Sequence, residues 1–257
     1  MLFRSELLGV EALVRWNHPN QGLLLPRDFI HMAEMSRFCV PFTFEVINLV
    51  CTDIRNMTRL IGRDIPVAVN LPLFVLNDLS FPEKVLSIMT KMGIKSSNFC
   101  FELTESSIVK IPAVTLDIVT RLHMRDISFS IDDFGIQNSN LDRLKTMPFS
   151  ELKLDRKFVS DVVTNATSRA ITKTAIDLGH SLGMQIVAEG VEDDETYNCL
   201  RDLGCDCVQG FLVSRPVRPD CLIKWFLTTD QYRPNAYVND LNLLGSSFSK
   251  QTKLSLA

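Results

Sequence analysis

The stretch FSIDDF, residues 129–134, contains the pattern that decides the fold. Its apolar residues are of the aromatic and β-branched kinds that buried strands favour, and two carboxylates follow where such a strand would end. Six further runs have the same form, each with an acidic, amide or lysine side chain at its carboxyl end. They read GVEAL, VAVNL, FCFELTE, ELKLD, IVAEG and CVQGF, and their polar residues are Glu11, Asn70, Glu102, Lys153, Glu189 and Gln209. These seven strand ends predict one acidic, cation-binding site.

Amphipathic segments with a helical period separate the strand-like runs. They cover residues 28–38, 43–60, 82–91, 112–123, 168–182 and 193–203. Such alternation of strands and helices predicts an α/β fold with a parallel sheet. Polar groups on seven separate strands favour a closed (β/α)8 barrel over an open sheet, whose site usually lies at one switch point. The count is one strand short, so we expect either a strand before Met1 or another segment to fill the gap.

Length and composition exclude several classes of function. The 257 residues, 46% of them hydrophobic, can bury a full core within a single barrel. A net charge of -3, a pI of 5.8 and the lack of a basic cluster argue against a partner that is duplex nucleic acid. Seven cysteines without framework spacing and four scattered histidines argue against a zinc site and favour reduced thiols.

The sequence also predicts the location and extent of the domain. No run has the length of a membrane span, and the first residues lack a signal-peptide pattern. We therefore expect a cytoplasmic domain, or the cytoplasmic part of a larger protein, over residues 1–230. Residues 231–257 are rich in Asn, Ser and Lys without a strong period, which predicts a flexible C-terminal tail.

The adjacent carboxylates Asp132 and Asp133 indicate a metal site. Neighbouring residues on a strand point to opposite faces, but Gly135 follows closely and offers a turn that brings both to one side. Two carboxylates that close repel each other unless a cation lies between them. Further oxygen ligands would come from Glu11, Asn70 and Glu102. Such an all-oxygen shell suits Mg²⁺ or Mn²⁺, with enough ligands for two ions about 4 Å apart.

Two more strand-end residues would handle water and charge. Lys153 could orient an attacking water or stabilise the charge that develops on a phosphate. Glu189 is placed to position or deprotonate that water. Each residue alone has a plainer interpretation, such as a capped strand end for Glu189 or a surface ion pair for Lys153. Packing does not require a polar group at every strand end, so the repetition favours a site for in-line phosphodiester hydrolysis.

The chain closely resembles the EAL domain family of cyclic-di-GMP phosphodiesterases between about residues 8 and 225. The motifs stand in family order as EALVRW (11–16), VNL (69–71), ELTES (102–106), DDFG (132–135), KLDRKFV (153–159), AEGVE (188–192) and QGFLVSRP (209–216). The resemblance implies a TIM-like (β/α)8 barrel of the EAL type with its first strand absent. It also implies hydrolysis of cyclic di-GMP to linear pGpG with Mg²⁺ or Mn²⁺, and a homodimer as a plausible assembly.

The resemblance assigns roles to matching positions. The metal ligands would be Glu11, Asn70, Glu102, Asp132 and Asp133. The catalytic group would be Lys153 and Glu189, which hold and activate water, with Glu105 bracing the loop after the paired aspartates. The ligand contacts would be Leu13, Arg15, Asp155 and Gln209. The guanidinium of Arg15 suits bidentate binding of a phosphate. Whether Lys153 or Glu189 is the base stays open at this point.

Three departures from the family pattern support alternative functions. Residues 136–140 read IQNSN where the family has TGYSS, Pro72 follows the VNL motif where the family has serine, and the Gln-Pro strand is missing. An EAL domain altered in this way could bind cyclic di-GMP or a protein partner without turnover. A third hypothesis rests on the strand ends alone. It is an enolase-like barrel in which a lysine and metal-bound carboxylates abstract a carbon-bound proton.

Overall fold

The computed structural model describes residues 2–3, 6–108, 112–135, 141–228 and 254–256. The divergent loop at 136–140 lies outside the described residues, as does the predicted tail apart from residues 254–256. The domain boundaries and the flexible tail therefore stay predictions.

Strands and helices alternate along the described part of the chain. The strands are β1 (Leu2–Phe3), β2 (Glu6–Leu7), β3 (Val10–Ala12), β4 (Val14–His18), β5 (Gly22–Leu24), β6 (Val67–Asn70), β7 (Phe99–Thr104), β8 (Ser128–Phe134), β9 (Glu151–Leu154), β10 (Gln185–Ala188), β11 (Cys207–Val208) and β12 (Leu254–Leu256). The α-helices are α1 (Pro26–Glu34), α2 (Cys39–Ile61), α3 (Phe81–Met92), α4 (Glu105–Ile108), α5 (Ala113–His123), α6 (Leu141–Thr146), α7 (Arg156–Val159), α8 (Ala166–Ser181), α9 (Asp194–Leu203) and α10 (Pro219–Thr228). Short 3₁₀ helices cover Leu73–Asn77 and Ser96–Asn98.

Seven parallel strands form the sheet that positions the site. They adjoin in the order β3-β6-β7-β8-β9-β10-β11. Glu11 on β3 and Gln209 just after β11 are hydrogen-bonded, although their strands lie at opposite ends of this row. The sheet is therefore curled, and the predicted TIM-like α/β fold is confirmed.

An N-terminal hairpin lies beside β11, where the strand count had left a gap. Among the described residues the row of parallel strands has seven members and no eighth. Instead β1 pairs antiparallel with both β11 and β2. Only Leu8 and Gly9 separate β2 from β3. The hairpin therefore pairs with β11 at one edge of the parallel sheet and continues along the chain into β3 at the other edge.

The helices agree with the predicted segments except at some ends. Gly93 and Gly204 cap α3 and α9 in the left-handed conformation, with φ of 69° and 89°, as their positions after helical segments predict. The helix predicted over residues 28–38 is wrong at its C-terminal end, because α1 stops at Glu34. Ser36 bonds back to the carbonyl of Ala33 through both its N–H and its hydroxyl, which closes a turn before α2.

A second, antiparallel sheet of the order β12-β4-β5 stands apart from the barrel sheet. β4 follows β3 after a single residue, and β5 pairs with it as a hairpin. None of the helices in the described ranges is both long and apolar enough to cross a membrane.

Alternation along β7 and β8 separates the apolar core from the barrel interior. Phe101 and Phe129 are fully buried, and Phe101 packs against Phe81 of α3, so this face of the sheet is covered by helices. Burial of each ring stabilises the fold by about 2–3 kcal/mol. Residues at alternate positions face the other way. Glu102 and Ser130 therefore lie on the interior face of the barrel.

Candidate active site

The ammonium group of Lys153 lies at the centre of the polar end of the barrel. Its Nζ is 2.6 Å from Glu189, 2.8 Å from Glu102, 3.3 Å from Glu11 and 3.4 Å from Asp132. These carboxylates stand at the ends of four different strands, and the lysine is fully buried. The strand ends that the sequence predicts to converge thus surround one amine.

Glu11 has two further partners at this site. Asn70 donates its amide N–H to Glu11 Oε1 at 3.0 Å, and Gln209 donates to Oε2 at 2.6 Å. Burial raises the pKa of Glu11, but the charge of Lys153 and these amide donors outweigh it, so the pKa lies below its ordinary value. Glu11 is therefore an anion at neutral pH. Pro72 directly precedes the 3₁₀ helix that follows, and the bond from Asn70 to Glu11 is formed beside it.

If all of them were ionised, the carboxylates around Lys153 would carry more negative charge than one lysine balances. Burial, followed by the charge of Glu11, raises the pKa of Glu102 well above its ordinary value. Burial also raises the pKa of Glu189 to about 7, and burial together with Asp132 raises that of Asp133 to about 6. Burial lowers the pKa of Lys153, but the charges of the neighbouring carboxylates raise it by more than that, so the pKa lies above its ordinary value. The excess negative charge would be neutralised by a divalent cation.

Asp132 and Asp133 lie in a bulge of β8. Ile131 pairs with Leu152 but Phe134 pairs with Leu154, so β8 has one residue more than β9 over this interval. Asp133 has a φ of 57°. The bulge lets both aspartates serve one site, because carboxylate oxygens of Asp132, Asp133 and Glu189 lie within 4.8 Å of one another. The turn predicted from the sequence at Gly135 begins earlier, because the backbone already changes direction at Asp133.

The surroundings of the Glu102 carboxylate show whether a metal ion would fit this site. Its side chain is 0% exposed, and Oε2 accepts no hydrogen bond from the described residues. A buried carboxylate oxygen without a partner is costly, and a hard divalent cation would satisfy it. The donors around it are carboxylate and amide oxygens, with no thiol or imidazole among the site residues described above. The residues therefore fit a cation that prefers oxygen ligands.

Two predicted site residues support neighbouring elements. Glu105 is buried, and its Oε2 accepts the N–H of Gly135 at 3.0 Å. This contact agrees with the bracing role inferred from the family, although the loop beyond it lies outside the described residues. Asp155 caps α7 by accepting the N–H of Lys157 at 2.8 Å, and it is also hydrogen-bonded to Asp133.

A cavity of about 430 Å³ opens beside the carboxylates. Leu13 and Gln209, both predicted ligand contacts, line it together with Glu11, Asp132 and Glu189. Arg15 is not among the described residues that line the cavity, and its guanidinium donates to the carbonyl of Val14 at 3.0 Å. The phosphate contact expected of Arg15 stays a prediction.

Other charged residues of the cavity were not singled out from the sequence. Arg156 and Arg215 line it, and Arg156 pairs with Glu192 at 2.8 Å. Both arginines lie in quoted motifs shortly after strand ends, and that position is the signal that could have identified them. Asp53 of α2 and Trp225 of α10 line the cavity as well, and nothing in the sequence pattern connects them to it.

Comparison with curated proteins agrees with the fold and the site. The EAL domain family matches residues 2–216. The chain is 35% identical to the cyclic di-GMP phosphodiesterase RocR of Pseudomonas aeruginosa over 211 residues, which are 82% of this chain and 54% of RocR. It is 34% identical to the bifunctional diguanylate cyclase/cyclic di-GMP phosphodiesterase MucR of the same organism over 217 residues, which are 84% of this chain and 32% of MucR. The chain thus spans about half of RocR and a third of MucR.

Solved structures of the same fold lead to the same assignment. A complex of the PaMucR phosphodiesterase with c-di-GMP aligns with a TM-score of 0.78 at 34% identity, over 84% of this chain and 87% of that chain. The EAL enzyme Bd1971, in a form with cAMP and cyclic-di-GMP bound, aligns with a TM-score of 0.80 at 30% identity, over 84% of this chain and 59% of that chain. With a family match over most of its length, the motifs in order and the fold in common, this chain belongs to the EAL domain family.

Proposed function

We propose that this chain hydrolyses cyclic di-GMP to linear pGpG in a reaction that requires two Mg²⁺ or Mn²⁺ ions. The observation that carries the proposal is the arrangement of four carboxylates from four strand ends around Lys153, at one end of a cavity. The names of the relatives RocR and MucR support the choice of substrate. Membership of the EAL domain family favours phosphodiester hydrolysis over the enolase-like alternative.

The residues proposed to hold the ions are those predicted from the strand ends. They are Glu11, Asn70, Glu102 and Asp132 for the first ion, with Asp133 joining Asp132 at the second. When bound, the ions polarise the phosphodiester and lower the pKa of the attacking water. The buried Oε2 of Glu102, which accepts no hydrogen bond from the described residues, supports this assignment.

Glu189 is proposed as the base. Its pKa of about 7 places it where a carboxylate accepts a proton efficiently near neutral pH. The pKa of Lys153 lies well above its ordinary value, so this residue stays an ammonium and cannot take a proton from water. Lys153 instead holds Glu189 in place at 2.6 Å and offsets the charge that develops on the phosphate.

The proton and bond changes follow from this assignment. Water attacks one phosphorus, its proton passes to Glu189, and the bond from phosphorus to the 3′-oxygen breaks. The 3′-oxygen takes up a proton from solvent and Glu189 releases its proton to solvent, which leaves a 3′-hydroxyl and a 5′-phosphate, as in pGpG. Leu13, Arg15, Asp155 and Gln209 are kept as proposed ligand contacts. Arg156 and Arg215 are added because they line the cavity and can bind phosphate through the guanidinium fork.

Incubation of the purified chain with cyclic di-GMP tests the proposal. With Mn²⁺ or Mg²⁺ present we expect pGpG to accumulate, measured by ion-exchange chromatography, and with EDTA we expect none. Tight binding of cyclic di-GMP without any product would favour the receptor alternative. No binding at all would exclude both functions. The homodimer and the cytoplasmic location stay predictions.

A further inference from the structure

A hydrogen bond joins two neighbouring strands on the interior face of the barrel, one side-chain layer below Asp132 and Lys153. Ser130 of β8 donates its hydroxyl to Glu151 Oε1 of β9 at 3.0 Å. Both side chains are buried, and their Cα atoms are direct partners in the parallel ladder. We refer to these two residues as the Ser130–Glu151 pair. Glu151 is not one of the four carboxylates that contact Lys153, and the mechanism does not use it.

The pair stands directly beneath two residues of the site. Ser130 precedes Asp132 by two positions on β8, and Glu151 precedes Lys153 by two positions on β9. Residues two apart on a strand share a face and lie about 7 Å apart. The contact between Asp132 and Lys153 at 3.4 Å therefore repeats, one layer higher, the cross-strand contact that the pair makes.

The pair also lies where the regular ladder ends. Ser130 and Ile131 are the last residues of β8 in regular register with β9 before the bulge. Above them the two strands have unequal numbers of residues, so the ladder does not fix the positions of Asp132 and Asp133. Their distance from Lys153 then depends on how firmly β8 and β9 are joined just below the bulge.

We infer that Ser130 and Glu151 are positioning residues, which lock β8 to β9 beneath the bulge and so hold Asp132, Asp133 and Lys153 in the geometry that binds the metal ions. The inference rests on the proposed function, in that it takes the aspartates to be metal ligands. The proposed role does not require either residue to contact the substrate. The role requires a hydrogen bond between the strands and not a negative charge at position 151.

Conservative variants of the full chain separate the hydrogen bond from the charge. Glu151→Gln keeps an acceptor for Ser130 and removes the charge, whereas Glu151→Met has a similar length and removes both. Ser130→Ala removes the donor. As a matched control, Thr115→Val removes a different buried hydroxyl, which belongs to α5 and donates to the carbonyl of Leu76 at 3.3 Å.

The first measurement is the affinity for Mn²⁺ alone, from the electron paramagnetic resonance signal of the free ion. We expect Ser130→Ala and Glu151→Met to weaken Mn²⁺ binding at least fivefold, and Glu151→Gln and Thr115→Val to stay within twofold of wild type. With cyclic di-GMP, the two disruptive variants should lose about tenfold in kcat with KM within twofold, since transition-state geometry is affected more than substrate binding. Glu151→Gln binding as weakly as Glu151→Met would overturn the inference.

A double variant distinguishes positioning from stability. Ser130→Ala with Glu151→Met replaces both polar groups by apolar ones, which leaves no unsatisfied partner and should restore the urea midpoint lost in Ser130→Ala. A positioning role requires that Mn²⁺ affinity stay low in this double variant. Recovery of Mn²⁺ affinity together with the midpoint would show that the pair acts through stability alone, and the inference would be wrong.

The metal titration also separates this inference from the proposed function. It needs no cyclic di-GMP, so a wild-type chain that binds Mn²⁺ but yields no pGpG would contradict the proposed function, while the variants would still confirm or refute the role of the pair. A wild-type chain with no measurable affinity for Mn²⁺ would refute both.

Discussion

Glu11 accepts a hydrogen bond of 2.6 Å from Gln209, although the two residues are 198 positions apart along the chain. Their strands lie at opposite ends of the row of parallel strands, so this bond marks the place where the curled sheet meets itself. It also brings a proposed metal ligand next to a proposed ligand contact. Closure of the barrel and assembly of the site are thus the same event at this position.

Replacement of Glu11 tests the metal site. Glu11→Ala should lower kcat at least about a hundredfold, because it removes a proposed metal ligand whose pKa is held low and which joins Asn70 and Gln209 to the site. The measurement is the rate of pGpG formation at saturating Mn²⁺. Glu45→Ala changes an exposed glutamate of α2 and should leave the rate unchanged. A fully active Glu11→Ala variant would refute the assignment of Glu11 as a metal ligand.

Loss of the Lys153 charge should affect both stability and catalysis. Lys153→Met leaves the surrounding carboxylates without their cation, and breaking a buried ion pair from one side costs about 3–5 kcal/mol. In EDTA we expect the free energy of unfolding, measured with urea, to fall by an amount of this order. Mn²⁺ should restore part of it, since the ion neutralises the same carboxylates. Lys157→Met, on the exposed side of α7, is the control. Unchanged stability in EDTA would contradict the prediction.

Glu105 should influence the site through the backbone that it holds. Glu105→Ala removes the acceptor for the N–H of Gly135, next to the paired aspartates, and should lower kcat about 10–100-fold, as for other groups that orient metal ligands. Glu105→Gln keeps a carbonyl oxygen in the same place and should be milder. Steady-state kinetics with cyclic di-GMP would show the difference, and equal losses in both variants would mean that the charge, not the hydrogen bond, matters.

The raised pKa of Asp53 should make the stability of the fold depend on pH, independently of catalysis. Burial, with the charge of Asp220, raises the pKa of Asp53 to about 6 in the folded chain, against about 4 for an exposed aspartate. The folded state therefore favours the protonated form of Asp53. The stability that this form contributes is fully present below about pH 4 and is lost as the pH rises through about 6. Asp53→Asn removes this loss and should stabilise the protein at pH 7.5 by about 1–2 kcal/mol, after allowance for partial exposure.

The test of this prediction compares urea unfolding at two values of pH. At pH 4 the stabilities of Asp53→Asn and wild type should be nearly equal, and the difference should appear between pH 4 and 6. Asp202→Asn, at an exposed position of α9, should give no such difference. A variant that is more stable by the same amount at both values of pH would show that the effect does not come from ionisation of Asp53.

The barrel and most of the site could be predicted because the signals are local. Phe129 and Ile131 alternate with Ser130 and Asp132, so the sequence shows both a strand and the face that is buried against helices. A polar residue at each strand end then indicates convergence, because the carboxyl ends of parallel strands share one edge. Glu102 and Lys153, the most deeply buried members of the site, were predicted in this way.

Other features depend on contacts that no local pattern records. The strands β1 and β2 have two residues each, too few to show a period, so their pairing beside β11 could not be predicted. The reversal at Asp133 follows from the register between β8 and β9, which the sequence of β8 alone does not contain. Asp53 looks like a solvent-facing residue of α2 until Asp220 on α10 is placed beside it by the fold.

The extra residue of β8 limits how this site can diverge. Substitution at position 132 or 133 exchanges one ligand at a time, and the effect on cation chemistry is graded. Deletion of either aspartate would instead remove one carboxylate and restore the regular two-residue alternation of the strand, so that only one acidic side chain could face the site. A descendant of this domain that shortened the segment by one residue would lose its pair of aspartates in one step, whatever residues it retained elsewhere.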